Sequence, residues 1–228
     1  LQPGQGFEIF DPIRNPHFER HVDEYLAIMG RSGVSPEYAR NVIRTRTTAL
    51  GALMVRNHEA DALICGTQGA YARHLRYLCD IIGIRKGVSD CSALMLMILD
   101  TGTYFLTDTH VTVDPSAEEV VETAVMGAAM VRRFGMEPKI GLMSHSNFGS
   151  RNNKSARKMR KARTLLSKHH TELSVEGEMH ADAALSDEIR QRVFPNAQYE
   201  GSANLLVMPN LDAANITYNM TKALANGL

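Results

Sequence analysis

The sequence predicts an α/β fold, on three observations. Short apolar runs with strand character alternate with segments of helical period along the chain. Two of those runs pass directly into polar clusters, Gly177-Glu178-Met179-His180-Ala181-Asp182-Ala183-Ala184-Leu185 and Ala203-Asn204-Leu205-Leu206-Val207-Met208-Pro209-Asn210-Leu211-Asp212-Ala213-Ala214-Asn215-Ile216. An open α/β sheet builds its ligand crevice at such strand ends. Finally, 228 residues with 44% hydrophobic content can bury a substantial core, as one large domain or two small ones.

The elements follow in order. Residues 17–29 read as a helix. Ser35-Pro36-Glu37 starts a second: Ser as N-cap, Pro at the first helical position, an acid beside the positive helix end. This helix is expected to run to residue 56. Residues 62–66 form a short buried strand and residues 71–82 a helix. Residues 84–90 hold Arg85, Lys86, Asp90 and a glycine without strong periodicity, and mark a domain boundary between 1–86 and 87–228. Residues 92–99 are almost wholly apolar, as in a strand covered on both faces. Residues 104–111 form the next strand. Ser116 and Glu119 make a capping box and Gly135 a C-cap, bracketing one long helix. Strand 139–143, helix 154–168, strand 172–176, helix 183–193, strand 205–208 and helix 213–226 complete the chain. There is no internal repeat and no low-complexity segment.

Composition narrows the function. Lys+Arg and Asp+Glu both number 25, so the formal net charge is zero, which argues against a general polyanion binder. With no aromatic interleaving in its basic run, a nucleic-acid role is not expected. No apolar run reaches about 18 residues, so no membrane span is expected, and no signal peptide is evident. Cys65, Cys79 and Cys91 are odd in number and lack CxxC spacing, the pattern of reduced thiols in a cytoplasmic protein. Neither GxGxxG nor GxxxxGK[ST] occurs, and no His/Cys/acid cluster has metal spacing. The opening Leu1-Gln2-Pro3-Gly4 lacks an initiator Met and reads as part of a longer polypeptide.

Several residues stand out as ligand candidates. Ser144, His145 and Ser146 follow a strand in a loop dense in hydroxyls and amides. Such a loop presents donors to a phosphate or carbonyl, or is an ordinary polar turn. Nucleophilic catalysis is the weaker reading, since adjacent Ser and His seldom point at one another and no third partner is evident. Asp182, just past a strand, can orient a substrate group or act as a base; capping the helix before Ala183 is the favoured reading. Asn210, Asp212 and Asn215 occupy the turn before the last helix and its start, where Asp and Asn bond the local backbone.

The cationic candidates lie in two groups. A basic run, Arg151, Lys154, Arg157, Lys158, Arg160, Lys161, Arg163 and Lys168, occupies a stretch without Asp or Glu from residue 138 to 171. Ala156, Met159, Ala162, Leu165 and Leu166 give that helix a core face. Its basic face is either a solvated surface or a phosphate patch, with Arg157 and Lys161, for a nucleotide-like ligand such as coenzyme A. Arg44, Arg46, Arg73 and Arg76 lie in the first half, and Arg76 near a strand end is an anion anchor or a surface ion pair.

These motifs resemble the phosphotransacetylase (phosphate acetyl/butyryltransferase) family along most of the chain. Ala60-Asp61-Ala62-Leu63-Ile64-Cys65-Gly66 is similar to the family's strand before its first substrate loop, and Arg76 sits where the family has a ligand-contacting arginine. Asp114-Pro115-Ser116-Ala117-Glu118-Glu119 and Phe134-Gly135 resemble its second domain. The two strand-end clusters match its Gly-(any)-Leu-Gln-(any)-Asp-Ala-Ala and Phe-Pro-Asp-Leu-Asn-(any)-Gly-Asn-Ile stretches. Departures point to a subfamily: Met179-His180 for Leu-Gln, Asn210 for Asp, Asp212 for Asn, and Thr67-Gln68-Gly69-Ala70 without the Ser/Thr-rich loop. That combination, with Ser144 to Ser150, is similar to the C-terminal domain of bacterial hybrid NADP-dependent malic enzymes.

The resemblance implies a phosphotransacetylase / isocitrate dehydrogenase-like fold: two three-layer αβα domains with an interdomain cleft. It implies a first domain completed by a C-terminal return bearing the family's catalytic Ser-Arg pair and Asp. This chain ends at Leu228 before that return, so its first domain is expected to be incomplete and no catalytic residue is assigned. It further implies an acetyl-CoA-binding, homo-oligomerising regulatory domain without acetyl transfer of its own. Malate decarboxylation, with NADP and Mg or Mn, would then belong to an N-terminal part. The alternatives are an active phosphate acetyltransferase and a purely structural dimerisation module.

Overall fold

The computed structural model describes residue 4, residues 6–197 and residues 199–225. The opening Leu1-Gln2-Pro3 and the end of the last predicted helix at residue 226 lie outside the described residues. The chain divides into two compact units, Leu1–Gly87 and Val88–Leu228.

The first unit is built from helices α1 (Phe18–Met29), α2 (Pro36–Thr45), α3 (Thr47–Arg56) and α4 (Tyr71–Ile81). Ser35 caps α2, its hydroxyl accepting from the Tyr38 N–H at 3.2 Å, with Pro36 in the first turn. The single helix expected to residue 56 is two helices, broken at Arg46 (φ −116°, ψ 86°). Thr45, Thr47 and Thr48 are β-branched and poor helix formers, so the break is cheap there. It lets Val42 and Ile43 of α2 and Leu50 and Leu53 of α3 enter one core with Val22, Tyr25 and Ile81.

The strand expected at residues 62–66 does not form. That segment has no regular structure and joins no sheet, and Ile64 is 97% exposed. A strand needs a neighbour to satisfy its backbone, and this unit has no other strand among the described residues. Leu63 alone packs inward, against the helical core.

The second unit holds a five-stranded sheet in the order β1 (Leu94–Leu99), β2 (Gly102–Thr107), β5 (Leu205–Val207), β3 (Lys139–Met143), β4 (Ser174–Met179). Strand β1 is antiparallel to β2; the other pairings are parallel. Strand β1 is an edge strand, yet Leu94 and Leu96 pack on one core and Met97 and Leu99 on the other, as expected of a strand covered on both faces; only Ile98 stays 52% exposed. Strand β2 ends earlier than the expected residue 111, because the Asp108 carboxylate captures the N–H groups that follow it. Strand β4 starts and ends later than expected, at Ser174–Met179.

Helices α5 (Ala117–Arg133) and α6 (Lys154–His169) cover one face; α7 (Ala181–Leu185), α8 (Asp187–Val193) and α9 (Leu211–Leu224) cover the other. The Ser116/Glu119 capping box starts α5, and Gly135 just beyond its end takes φ +75°. Gly127 lets α5 approach the sheet: a Cβ there would lie 3.1 Å from Leu205. The helix expected over residues 183–193 is two, because Ser186 leaves the helical conformation and caps α8, accepting from Ile189 N–H at 3.3 Å. Met97, Leu106, Met143, Met179 and Leu206 pack beneath α7 and α9, and Phe105, Ile140, Leu142 and Leu205 beneath α5 and α6. Each such side chain contributes about 1.5–3 kcal/mol by leaving water.

Strand β3 feeds α6 on one face while its neighbour β5 feeds α9 on the other. This reversal opens a crevice at the carboxyl ends of β3 and β5, where such sheets bind ligands.

Candidate functional site

The crevice loops are held by a buried carboxylate. Glu178, 1% exposed near the end of β4, accepts from Ser146 Oγ at 2.8 Å, Gly149 N–H at 3.0 Å and Arg160 at 2.9 Å. Burial opposes its ionisation, but the Arg160, Ser146 and Gly149 hydrogen bonds outweigh it and hold its pKa below the usual range. Ser146 Oγ also accepts from Arg151 N–H at 3.0 Å. Ser146 is therefore buried and spent on loop structure, not presented to a ligand. Phe148 N–H donates to the Glu178 carbonyl at 2.7 Å, and the Phe148 ring stacks on Phe194 with centroids 4.4 Å apart.

A second lacing joins this loop to the end of β4. His180 N–H donates to Asn147 Oδ1 at 2.7 Å, and His180 Nε2 meets the His145 carbonyl at 3.0 Å, so Nε2 carries the hydrogen. Asn153 caps α6 through Oδ1 and holds His145 Nε2 with its amide at 2.6 Å. In the loop from Ser144 to Ser150, no hydroxyl is hydrogen-bonded to an imidazole.

Beside these loops lies a cavity of about 460 Å³. Its floor is apolar, with Met97, Leu106, Leu206 and Met208 from the sheet, and α7 and α9 wall it. Its rim carries Ser144, His145 and Asn210. A cavity of this size with few polar groups on an apolar lining is the usual shape of a small-molecule site.

Sequence reasoning passed over two residues that build the site. Asp108 is nearly buried after β2 and accepts four backbone N–H groups, from Ala93, His110, Val111 and Thr112, at 2.8–3.1 Å. Lys158, counted only within the basic run, is 13% exposed. Its ammonium donates to the Pro209 carbonyl at 2.7 Å and to Asp114 at 2.6 Å, tying α6 to the loop after β5. That hydrogen bond, with Lys158 and Lys154 charge, holds the Asp114 pKa down. An aspartate directly after an apolar run was the available signal for Asp108; nothing local marks Lys158.

The remaining candidates scatter. Asn210 caps α9, Oδ1 accepting from Ala213 N–H at 2.9 Å, while also rimming the cavity. Asn215 donates to the Thr109 carbonyl at 3.3 Å, and Asp212 is exposed in the first turn of α9. Asp182 is not the expected cap: it lies inside the first turn of α7, exposed, and the N-cap position is His180. Its Oδ1 accepts from Ala183 N–H at 2.8 Å.

The basic run on α6 is largely neutralised. Lys158 faces Asp114, Arg160 faces Glu178, Lys161 faces Glu118 at 2.6 Å, and Arg163 faces Glu176 at 3.5 Å. Arg157 donates to the Asn152 carbonyl at 2.5 Å. Counting Lys154 with Asp114 at 3.8 Å, five of the run's eight cations face a carboxylate. In the first unit, Arg44 lies over the Phe18 ring at 5.5 Å, and exposed Arg76 pairs with Asp80 at 3.7 Å. Arg46 lines a separate polar cavity with Arg73 and His74. Among the described residues, no group of three or more His, Cys, Asp or Glu could hold a metal, and no helix is long and apolar enough to cross a membrane.

Comparison with known proteins gives the family. The phosphate acetyl/butaryl transferase family matches residues 1–227, and the chain belongs to that family. It is 52% identical over its whole length to an NAD-dependent malic enzyme of Rhizobium meliloti (strain 1021), covering 30% of that protein. It is 44% identical over 97% of its length to an NADP-dependent malic enzyme of Escherichia coli (strain K12), covering 29% of it. The chain thus spans about 30% of the length of these relatives. A phosphotransacetylase structure from Streptococcus pyogenes superposes with a TM-score of 0.89 at 27% identity, over 99% of this chain and 68% of that one.

Proposed function

We propose that this chain is the acetyl-CoA-binding regulatory and oligomerisation domain of a cytoplasmic hybrid malic enzyme. In that reading, oxidative decarboxylation of malate to pyruvate, with its dinucleotide and Mg or Mn, takes place in the rest of the polypeptide. The similarity to malic enzymes over nearly the whole chain, covering about 30% of them, supports the fusion. A relative at 52% identity is named NAD-dependent and one at 44% NADP-dependent. The matched segment therefore does not follow dinucleotide choice, as a regulatory domain need not; NADP remains our reading for the whole enzyme.

The observation that carries the ligand assignment is the 460 Å³ cavity at the strand ends, apolar within and rimmed by Ser144, His145 and Asn210. The acetyl thioester end of the ligand can enter it while Ser144, His145 or Asn210 donates to the carbonyl. The rival, a working phosphate acetyltransferase, needs an activated group in the crevice. The Ser146 hydroxyl is committed to Glu178 and Arg151, and His145 Nε2 to Asn153. That disfavours transfer at these residues.

Regulation at a distance requires two states with different acetyl-CoA affinities, with typical couplings of about 1–3 kcal/mol. Linkage is reciprocal, so saturating dinucleotide and a non-reactive malate analogue should weaken acetyl-CoA binding to the complete polypeptide by the factor with which acetyl-CoA weakens theirs. Calorimetry with and without those ligands tests this. Direct competition with malate, or indifference between the two sites, would contradict it.

A further inference from the structure

Both sides of the crevice rim are held from the start of α6. On one side the N-cap residue Asn153 holds His145 Nε2 with its amide at 2.6 Å. On the other, Lys158 donates to the Pro209 carbonyl at 2.7 Å. The Lys158 side chain is only 13% exposed, and a cation taken out of water needs its hydrogen bonds. Asp114 supplies the counter-charge at 2.6 Å. Lys154, one turn earlier, reaches the same carboxylate only at 3.8 Å and is 88% exposed.

The Pro209 carbonyl belongs to the peptide that joins Pro209 to Asn210, and both residues line the cavity. That peptide is trans. A trans peptide is planar, with its C=O and N–H pointing opposite ways. A carbonyl held toward α6 therefore fixes the N–H facing away from it. Among the described residues the Asn210 N–H donates to no group, while the Asn210 side-chain oxygen is taken up in capping α9. The chain is pinned on both sides of this unused donor. Met208 N–H donates to the Thr107 carbonyl at 2.8 Å, and Leu211 N–H to the Val113 carbonyl at 3.1 Å.

We propose that Lys158 is a positioning residue of the crevice site. By holding the Pro209 carbonyl it aims the Asn210 N–H into the cavity, where that N–H donates to the thioester carbonyl of the ligand. The inference rests on the acetyl-CoA reading above and adds to it the donor and the residue that aims it. A donor already fixed in place costs no ordering when the ligand arrives, and the charge-assisted bond from Lys158 is strong enough to fix it.

The test compares acetyl-CoA with S-ethyl-CoA, a thioether of nearly the same size that lacks the carbonyl oxygen. Both are titrated into the complete polypeptide by calorimetry. Wild type should bind acetyl-CoA about five- to tenfold more tightly, the worth of one hydrogen bond. In Lys158→Met that ratio should fall to near one, chiefly through weaker acetyl-CoA binding, with far-UV circular dichroism unchanged. Lys154→Met removes a charge beside the same Asp114 and should keep the wild-type ratio. A Lys158→Met protein that loses affinity for both ligands equally, or for neither, overturns the proposal, because a merely structural role leaves the ratio alone. Collapse of the ratio in Lys154→Met as well overturns it in favour of a general charge effect. Equal affinity of wild type for the two ligands overturns it without recourse to any variant, and leaves the acetyl-CoA reading standing. Absence of acetyl-CoA binding to wild type removes both.

Discussion

Helix α6 and the junction between α2 and α3 carry opposite lessons about charge. Along α6 the sequence is densely basic, yet Lys158, Arg160, Lys161 and Arg163 each face a carboxylate from α5, β4 or the loop after β2. At the junction Arg46, with Arg73 of α4, lines a small cavity in unremarkable sequence, and among the described residues neither pairs with a carboxylate. Charge density along a chain therefore does not show which charges stay unpaired. The fold decides that: in α6 the cations are paired with carboxylates of α5, β4 and the loop after β2, and Lys158 and Arg160 also hold the crevice loops.

The sharpest way to break this comparison is at Glu178. Glu178→Ala removes the acceptor of Ser146, Gly149 and Arg160 together. We expect a loss of about 2–4 kcal/mol in urea unfolding, since several partners lose a buried acceptor at once. A loss under about 0.5 kcal/mol would mean that the α6 charges are not structural.

The pH profile gives a smaller effect with a definite sign. The folded pKa of Glu178 is depressed, so its contribution is full above the unfolded value, about 4.3, and is lost as pH falls through the folded value. The stability gap between wild type and Glu178→Gln should therefore be constant above pH 5 and narrow on further acidification. A gap that widens with acid would contradict the assignment. The smallest effect is expected for Lys161→Gln, whose pairing with Glu118 is exposed on both sides. Its urea midpoint should match wild type within error; a clear shift would mean that the whole run is structural, not only its inner face.

Much of the second unit was legible in the sequence. Residues 139–143 form β3 where the apolar run placed it, and Ser116 with Glu119 caps α5, because both signals are local. The breaks at Arg46 and Ser186 were hidden, since helical period continues across them and only tertiary packing decides where a helix turns. The segment 62–66 reads as a strand on composition, but pairing is a non-local property and no neighbour is present among the described residues of its unit. Arg190 was equally hidden. It is wholly buried within a predicted helix, donating to the carbonyls of Ala183, Tyr199 and Gly201 and to Asp187, partners that only the fold assembles. At the site, position after a strand found Ser144, His145 and Asn210, but could not tell a rim residue from Ser146, a buried brace.

The most direct test of the central claim is the acetyl-CoA affinity of the complete polypeptide before and after filling the crevice cavity. Ala213 lines that cavity from α9, so Ala213→Leu adds bulk there without touching the Glu178 brace. Calorimetry should give saturable binding to wild type and an affinity at least about tenfold lower for Ala213→Leu, a difference of about 1.4 kcal/mol, with the unfolding midpoint little changed. Equal affinities for the two proteins, or no acetyl-CoA binding to either, would contradict the account.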